Sequence, residues 1–315
     1  MYKLISWYNQ RRKKIWISII IIVFIFIIIR LLNMWSKEQL EQEKKVIEEN
    51  NKSNVISYEE QSKSMVSGGK VDKNYQNQFG SLIDNFLKKC INKEYEQAYE
   101  LLSQDCKEEL YPSLKIFIDQ YCSEKFDQKK EYNFQSWTSE GNYIYLIKIY
   151  ESRLATGNAN PNYIQDYYTI KEELGEYKLN ISGFVGKQKY RNKTTQKENV
   201  TIKLNSTSVY MDYQNYEITV KNNTEKTILL DSREKTDNTY TVNNKGVKIE
   251  ALLYENKEED LKIDVGEEKK IAIKFSNVYQ SGTTIKKIVF SNVVLNYEEE
   301  QKVEDRELKE IAIEI

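Results

Sequence analysis

The chain has 315 residues, of which 40% are hydrophobic and 30% are charged, and its formal net charge is −1. This balance argues against a nucleic-acid partner, because phosphate backbones select strongly basic surfaces. Histidine is absent, which removes the commonest general base, the histidine-assisted nucleophiles and the commonest metal ligand. The composition therefore predicts a globular protein without catalytic, cofactor-binding or metal-binding residues, and without a nucleic-acid partner.

An uninterrupted apolar stretch, Ile15 to Ile29, follows a cluster of basic residues. Extended to Trp35, it predicts a transmembrane helix over residues 15–35, since Trp16 to Trp35 would cover about 29 Å at about 1.5 Å per residue. Trp16 and Trp35 are expected at the two membrane interfaces, and Arg30 is expected to snorkel to the headgroups. The lipid bilayer is therefore a predicted partner.

Basic residues before the span predict a cytoplasmic tail over residues 1–14, with the rest of the chain outside. The rival interpretation is a cleaved secretory signal, but no small-x-small cleavage site follows Ile29. Residues 36–78 are predicted to form a helical or flexible stalk, because much of this segment is Ser, Asn, Lys and Glu. The predicted localisation is the cell membrane, single-pass, with extracellular C-terminal domains.

Apolar residues at three- and four-residue steps predict three short helices, the first over Phe79 to Ile91, the second over Tyr95 to Leu102 and the third opened by Pro112. Alternating patterns then predict strands at Tyr132–Trp137, Tyr143–Tyr150, Tyr163–Ile170 and Tyr177–Val185. Helices followed by an antiparallel sheet are typical of an α+β domain, which we predict over residues 79–190.

Two groups of side chains in this region are candidate sites. Cys90 and Cys122 are expected near the ends of the first and third helices, where they either remain buried thiols or, outside the cytoplasm, form a disulfide. Tyr163, Tyr167 and Tyr168 either pack the strand faces or line a pocket at the mouth of the domain.

Residues 198–315 contain short alternating strands separated by Asn- and Gly-containing turns. This regular spacing predicts an all-β sandwich. Carboxylate runs in this region, such as Glu255 to Asp260, lack the alternating ligands and the glycine of a calcium loop. We therefore interpret them as solvated charged turns.

Phe86 to Phe126, and in particular Lys93 to Ser103, together with the ending Tyr167 to Leu179, resemble the nuclear-transport-factor-two-like fold, a curved sheet with helices in its concavity. The stretch Tyr216 to Leu230 resembles the immunoglobulin-like domains of bacterial surface proteins. The resemblances imply a single N-terminal transmembrane helix, a cone-shaped α+β domain and an immunoglobulin-like sandwich. Catalytic members of the first fold place Asp and His inside the cone, whereas this chain offers only Asp166 at an inward-looking strand position.

A basic tail, one span and an outer cone-shaped domain are similar to the layout of the scaffold subunit of type IV secretion and conjugation machines. The resemblance implies a non-enzymatic, membrane-anchored extracytoplasmic scaffold or assembly protein. Its expected partners are other envelope proteins, in a homo-oligomer or a multi-protein complex. The alternative is a surface ligand-sensing or cell-wall-associated binding protein.

Overall fold

The computed structural model describes residues 69–315, except for short segments at 128–129, 152–161, 233–237, 280–281 and 300–301. Helices come first in this part of the chain and are followed by three antiparallel sheets. The helices before the first strand are α1 Lys73–Ile91, α2 Tyr95–Glu100, α3 Gln104–Leu110, α4 Leu114–Phe117 and α5 Ser123–Lys125, with a π-helical turn, Ile118–Cys122, between α4 and α5.

Helix α1 begins earlier than its apolar spacing predicts because Asp72 caps it. The Asp72 Oδ1 atom accepts a hydrogen bond from the backbone N–H of Asn74 at 2.8 Å. Helix α3 was not predicted, since Cys106 is its one buried residue. It is started by Ser103, whose hydroxyl accepts from the Cys106 N–H at 3.0 Å. Local caps therefore determine where both helices begin.

The first sheet has the order β1-β2-β3-β4 and is antiparallel throughout. Its strands are β1 Lys130–Ser139, β2 Asn142–Glu151, β3 Tyr163–Glu173 and β4 Glu176–Asn180. Helices cover one face, as shown by the edge-on contact of Phe86 on α1 with Tyr168 on β3, whose ring centroids are 5.7 Å apart. Alternate residues of β3 therefore point either toward the helices or away from them.

Two further sheets pack face to face as a sandwich. One has the order β13-β8-β7-β5 with β6 also paired to β7, and the other has the order β11-β10-β14-β9-β12 with β15 also paired to β14. The strands are β5 Phe184–Lys189, β6 Thr194–Lys197, β7 Val200–Tyr210, β8 Gln214–Asn222, β9 Ile228–Leu229, β10 Tyr240–Asn243, β11 Lys248–Glu250, β12 Lys262–Ile263, β13 Glu268–Phe275, β14 Ile285–Val294 and β15 Leu308–Glu314. A short helix, α6 Glu258–Leu261, precedes β12, and single 3₁₀ turns lie at Leu253–Glu255 and Val303–Asp305.

The sandwich core consists of the inward residues of both sheets. Ile202 and Ile218 from one sheet and Ile288 and Phe290 from the other are fully or almost fully buried in one cluster. Burial of a side chain of this size contributes about 1.5–3 kcal/mol relative to exposure. The alternating pattern of the strands is therefore the main determinant of this part of the fold.

The predicted strand Tyr177–Val185 is two strands, which belong to different sheets. Ser182 (φ 56°) and Gly183 (φ 72°) turn the chain between β4 and β5. Strand β5 then pairs with β7 of the sandwich. The range 79–190, predicted as one α+β domain, thus contains a strand that completes a sandwich sheet.

Polar contacts join the first sheet and its helices to the sandwich. The hydroxyl of Tyr279 donates to the Ser139 carbonyl at 3.1 Å and accepts from Asn142 Nδ2 at 2.7 Å. On another side, Lys187 Nζ on β5 lies 2.7 Å from Glu109 Oε2 on α3, and both side chains are largely buried. We call these contacts the junction between the two parts.

The predicted fold class, with a transmembrane helix, a cone-shaped α+β domain and an immunoglobulin-like sandwich, is wrong. The described residues form mostly β-sheet, and none of their helices is both long enough and apolar enough to cross a bilayer. For the predicted single-pass membrane protein, the described residues supply no membrane-spanning helix. Several calls lie outside the described residues: the tail 1–14, the span 15–35 with Trp16, Arg30 and Trp35, and the stalk up to residue 68.

The tip of the β3–β4 hairpin contains a strained residue whose replacement is expected to stabilise the protein. Leu174 has φ 53°, a backbone conformation that is unfavourable for leucine. Its side chain is fully exposed (107%), so no packing energy offsets that cost. Since asparagine tolerates this conformation, Leu174→Asn should raise the free energy of unfolding by about 0.5–1 kcal/mol, measured by urea denaturation.

Glu140 provides the matched control, because it has φ 50° in the equivalent turn between β1 and β2. Its Oε1 atom accepts from the Gly282 N–H at 2.7 Å, so Glu140→Asn loses a contact while relieving the same strain. A smaller gain is expected for Glu140→Asn than for Leu174→Asn. An equal or larger gain would contradict this account of the Leu174 turn.

Candidate functional site

The π-helical turn Ile118–Cys122 brings two consecutive side chains into the interior. Tyr121 and Cys122 are both fully buried, although neighbours in a regular α-helix point about 100° apart. A π turn adds a residue to the helical repeat and often marks a functional site. We therefore take the residues around Tyr121 as the candidate site.

Asp166 lies opposite this turn, on the helix-covered face of β3. It pairs in register with Ile147 on β2 and is almost completely buried. Lys125 Nζ lies 2.6 Å from Asp166 Oδ2, and the Tyr121 hydroxyl donates to the same oxygen at 3.2 Å. The other oxygen, Oδ1, accepts from the Tyr167 backbone N–H at 2.8 Å.

A second tyrosine completes this group of polar side chains. The hydroxyls of Tyr121 and Tyr168 are hydrogen-bonded to each other, and both side chains are fully buried. Lys125 Nζ also lies 4.8 Å from the centre of the Tyr121 ring, within the range of a cation–π contact. We call Asp166, Lys125, Tyr121 and Tyr168 the buried polar cluster.

Burial dominates the electrostatics of this cluster. Loss of solvation raises the pKa of Asp166 above its ordinary value, and the Lys125 ammonium and the Tyr121 hydrogen bond only partly oppose that effect. Loss of solvation, followed by the nearby acidic groups, also raises the pKa of Tyr121 and of Tyr168 well above the ordinary value. Both phenols therefore hold their protons at neutral pH and act as hydrogen-bond donors.

Each member of the buried polar cluster is bonded to another member. Asp166 accepts from Lys125 and Tyr121, and Tyr121 is bonded to Tyr168. Such an arrangement compensates a buried carboxyl and joins the helices to the sheet. The cluster is therefore a structural hydrogen-bond network, because its donors are bonded to other groups of the protein.

The three tyrosines that were expected either to pack the strand faces or to line a pocket do not all lie on one face of the sheet. Tyr168 points toward the helices, whereas Tyr163 and Tyr167 lie at odd-numbered positions of β3 and point to the opposite face. Tyr163 is 51% exposed and packs against Tyr150, with ring centroids 5.6 Å apart. Because side chains alternate along a strand, positions 163 and 167 share one face of the sheet and position 168 lies on the other.

Cys90 and Cys122 do come together. Cys90 lies on α1 one helical turn after Phe86, whose ring centroid is 6.0 Å from that of Tyr121, the residue before Cys122. Burial, followed by a side-chain hydrogen bond with Cys122, raises the pKa of Cys90. Both are free thiols and fully buried, as is Cys106 on α3. The disulfide between Cys90 and Cys122 stays a prediction.

The sequence reasoning missed Lys125. One signal was available, because Lys125 follows Tyr121 by four residues and so falls on the same side of a helix. Asp166 was noted as an inward position, but its partner lies 41 positions away in the chain. Sequence spacing alone does not show that these residues meet.

Among the residues that the structure describes, no group of three or more acidic or thiol side chains is arranged to hold a metal ion. The absence of a metal or a cofactor stays a prediction from composition. No protein-family model, curated protein or solved structure matches the chain. The resemblances to the nuclear-transport-factor-two-like and immunoglobulin-like folds therefore also stay predictions.

Removal of Lys125 tests the compensation of the buried carboxyl. Lys125→Met leaves Asp166 without its cation, and we expect a loss of about 3 kcal/mol in the free energy of unfolding near pH 7. Lys88→Met is the matched control, since Lys88 pairs with Asp84 at 2.8 Å but is 63% exposed, so its loss should be below about 1 kcal/mol. Equal losses in urea denaturation would contradict the role of the cluster.

The pH dependence of stability tests the raised pKa of Asp166. Above the ordinary pKa of 3.8, the unfolded carboxyl releases its proton while the folded one retains it, so the unfolded state binds fewer protons. The wild-type free energy of unfolding should therefore fall relative to that of Asp166→Asn as the pH rises through this window. The slope is at most about 1.4 kcal/mol per pH unit, and a difference independent of pH from 3.5 to 7 would contradict the assignment.

Proposed function

We propose that this protein is a non-enzymatic scaffold or assembly protein that binds other proteins of a bacterial envelope complex. Conjugation and type IV secretion machines are the class of complex in which we expect it to act. The observation that carries the proposal is Leu174, which displays an aliphatic side chain at a hairpin tip in a strained backbone conformation. Backbone strain of this kind clusters at functional sites, and an exposed aliphatic side chain there is suited to contact with a partner.

Other exposed apolar side chains also lie beside turns. Val247 and Val265 are each more than half exposed and are next to Gly246 and Gly266, which have positive φ. Surface turns are accessible to a partner without any change in the sheets. These positions support contacts made at exposed turns.

The junction supports a scaffold role because it connects the two parts of the protein that carry these exposed turns. The hydrogen bonds of Tyr279 and the ion pair of Lys187 with Glu109 link the helical part to the sandwich on two sides. A preorganised surface loses less conformational entropy when it binds. Contacts at separate tips would therefore reinforce one another.

The buried polar cluster supports a binding role over a catalytic one. Its carboxyl and hydroxyl groups are directed at each other inside the protein. A catalytic acid or base must come within hydrogen-bonding distance of a substrate. Solvent-exposed residues are thus the better candidates for function in the described part of the chain.

A second candidate function, ligand or cell-wall binding, is favoured by Tyr163. Its ring is half exposed, and Lys148 Nζ lies 5.5 Å from the ring centre. An exposed aromatic ring beside a cation and a tyrosine can stack on a sugar or a planar ligand. Thermal stabilisation of the full chain by cell-wall fragments, abolished in Tyr163→Ala, would favour this candidate.

Leu174 variants test the scaffold proposal in cells of the native host. Chemical cross-linking should give discrete high-mass adducts for the wild type and for Leu174→Met, which keeps a long apolar side chain. Leu174→Asn should reduce these adducts at least several-fold while its thermal melting temperature is unchanged or higher. This combination separates lost binding from lost folding.

Two outcomes would overturn the assignment to Leu174. One is a wild-type protein that remains strictly monomeric after cross-linking. The other is a Leu174→Asn variant with adducts of undiminished yield. Mass spectrometry of the adducts would distinguish a second copy of the chain from a different protein.

A further inference from the structure

We propose that Cys90 and Cys122 form a reversible thiol–disulfide site that covalently staples helix α1 to the π-helical turn. Its reaction partner is a disulfide, either a small molecule such as oxidised glutathione or a disulfide-donating protein. Cys106 takes no part in this site. The inference rests on where the fold places three thiols that are all equally buried.

The packing of α1 on the π turn positions the two thiols. One helical turn before Cys90, the Phe86 ring packs against Tyr121, with centroids 6.0 Å apart. Tyr121 immediately precedes Cys122, so successive residues of the turn contact successive turns of α1. The π geometry allows Tyr121 to face the buried polar cluster while Cys122 faces Cys90.

The environment of the thiols is consistent with a mutual contact. The pKa of Cys90 is raised by burial, by a hydrogen bond with Cys122 and by the charge of that neighbour. Burial raises the pKa of Cys106 to about 12, and the other influences on it come from groups that are not thiols. Cys106 is therefore the internal comparison for the other two thiols.

The exchange proceeds in two balanced steps. The thiolate of one cysteine of the pair attacks one sulfur of the donor disulfide and releases one donor thiolate. The thiolate of the other cysteine then attacks the Sγ atom of the first, forming the internal disulfide and releasing the second donor thiolate. Two electrons pass to the donor, and the two thiol protons pass to solvent or to the released thiolates.

Burial makes the exchange depend on local opening. A thiol with a raised pKa is seldom a thiolate, and a buried sulfur is not accessible to a donor. Oxidation should therefore be slow in the closed fold and fast when α1 separates transiently from the π turn. Once formed, the disulfide closes a loop that contains α2, α3 and α4, and so restricts the unfolded chain.

The test uses the full chain, refolded from denaturant in a buffer of reduced and oxidised glutathione. Refolding gives the donor access to every thiol, so failure to react does not reflect burial. After acid quenching and alkylation in denaturant, the expected product carries one alkylated cysteine, Cys106. Before alkylation its mass is lower than that of the reduced protein by about 2 Da, the two hydrogens lost.

Single-cysteine variants provide the controls. Cys106→Ser should still lose about 2 Da, whereas Cys90→Ser and Cys122→Ser should form no internal disulfide. The thermal melting temperature of the wild type and of Cys106→Ser should rise by several degrees on oxidation and return with reductant. Neither Cys90→Ser nor Cys122→Ser should show this shift.

Three results would overturn the proposal. They are three alkylatable thiols after complete refolding, a disulfide that includes Cys106, and glutathione adducts on Cys90 or Cys122 without an internal bond. Mass and melting temperature are measured in the absence of any partner. The result is therefore independent of the proposed scaffold role.

Discussion

The antiparallel register of β2 and β3 is the constraint on which the candidate site depends. Because side chains alternate along a strand, the register that sets Asp166 opposite Ile147 also directs Tyr168 toward the helices and Tyr163 toward the other face. A shift of one residue would expose Asp166 and bury Tyr167. The same pairing therefore supplies both the interior polar network and the exposed aromatic ring.

The buried polar cluster determines how the helices sit on this sheet more than it adds to overall stability. Removing a carboxyl and an ammonium from water costs several kcal/mol per ion, and their attraction recovers that cost only with good geometry and additional hydrogen bonds. Lys125, Tyr121 and the Tyr167 backbone N–H provide those contacts for Asp166. Another placement of α5 would leave the carboxyl without its cation, which favours one arrangement of the helices.

The π-helical turn connects this network to the cysteine pair. Tyr121 reaches the sheet, and the next residue, Cys122, reaches α1, so the turn contacts two layers through adjacent positions. The outer surface is different, because several of its exposed apolar side chains lie in turns. Leu174 is the clearest example: its backbone conformation is unfavourable and its side chain contributes no internal packing. Interior and surface thus point to different roles, the first structural and the second in binding.

Some of this structure could be predicted from local pattern and some could not. The alternation of Ile202 and Ile218 with polar neighbours was sufficient to indicate half-buried strands, since a period of two depends only on adjacent residues. Helix α3 was missed because a serine cap, and not an apolar face, establishes it. The division of Tyr177–Val185 into β4 and β5 was missed because Ser182 adopts a positive φ that its residue type does not predict.

The sequence by itself determined the absence of histidine chemistry, the sites of alternating strands and the apolar face of α1, because these follow from composition or from neighbours in the chain. Only the tertiary structure decided that Lys125 meets Asp166, that Cys90 meets Cys122 and that β5 joins the sandwich. These contacts join residues far apart in the chain. They depend on the packing of whole helices and sheets. That packing involves many side chains from different segments, so no single segment of the sequence predicts it.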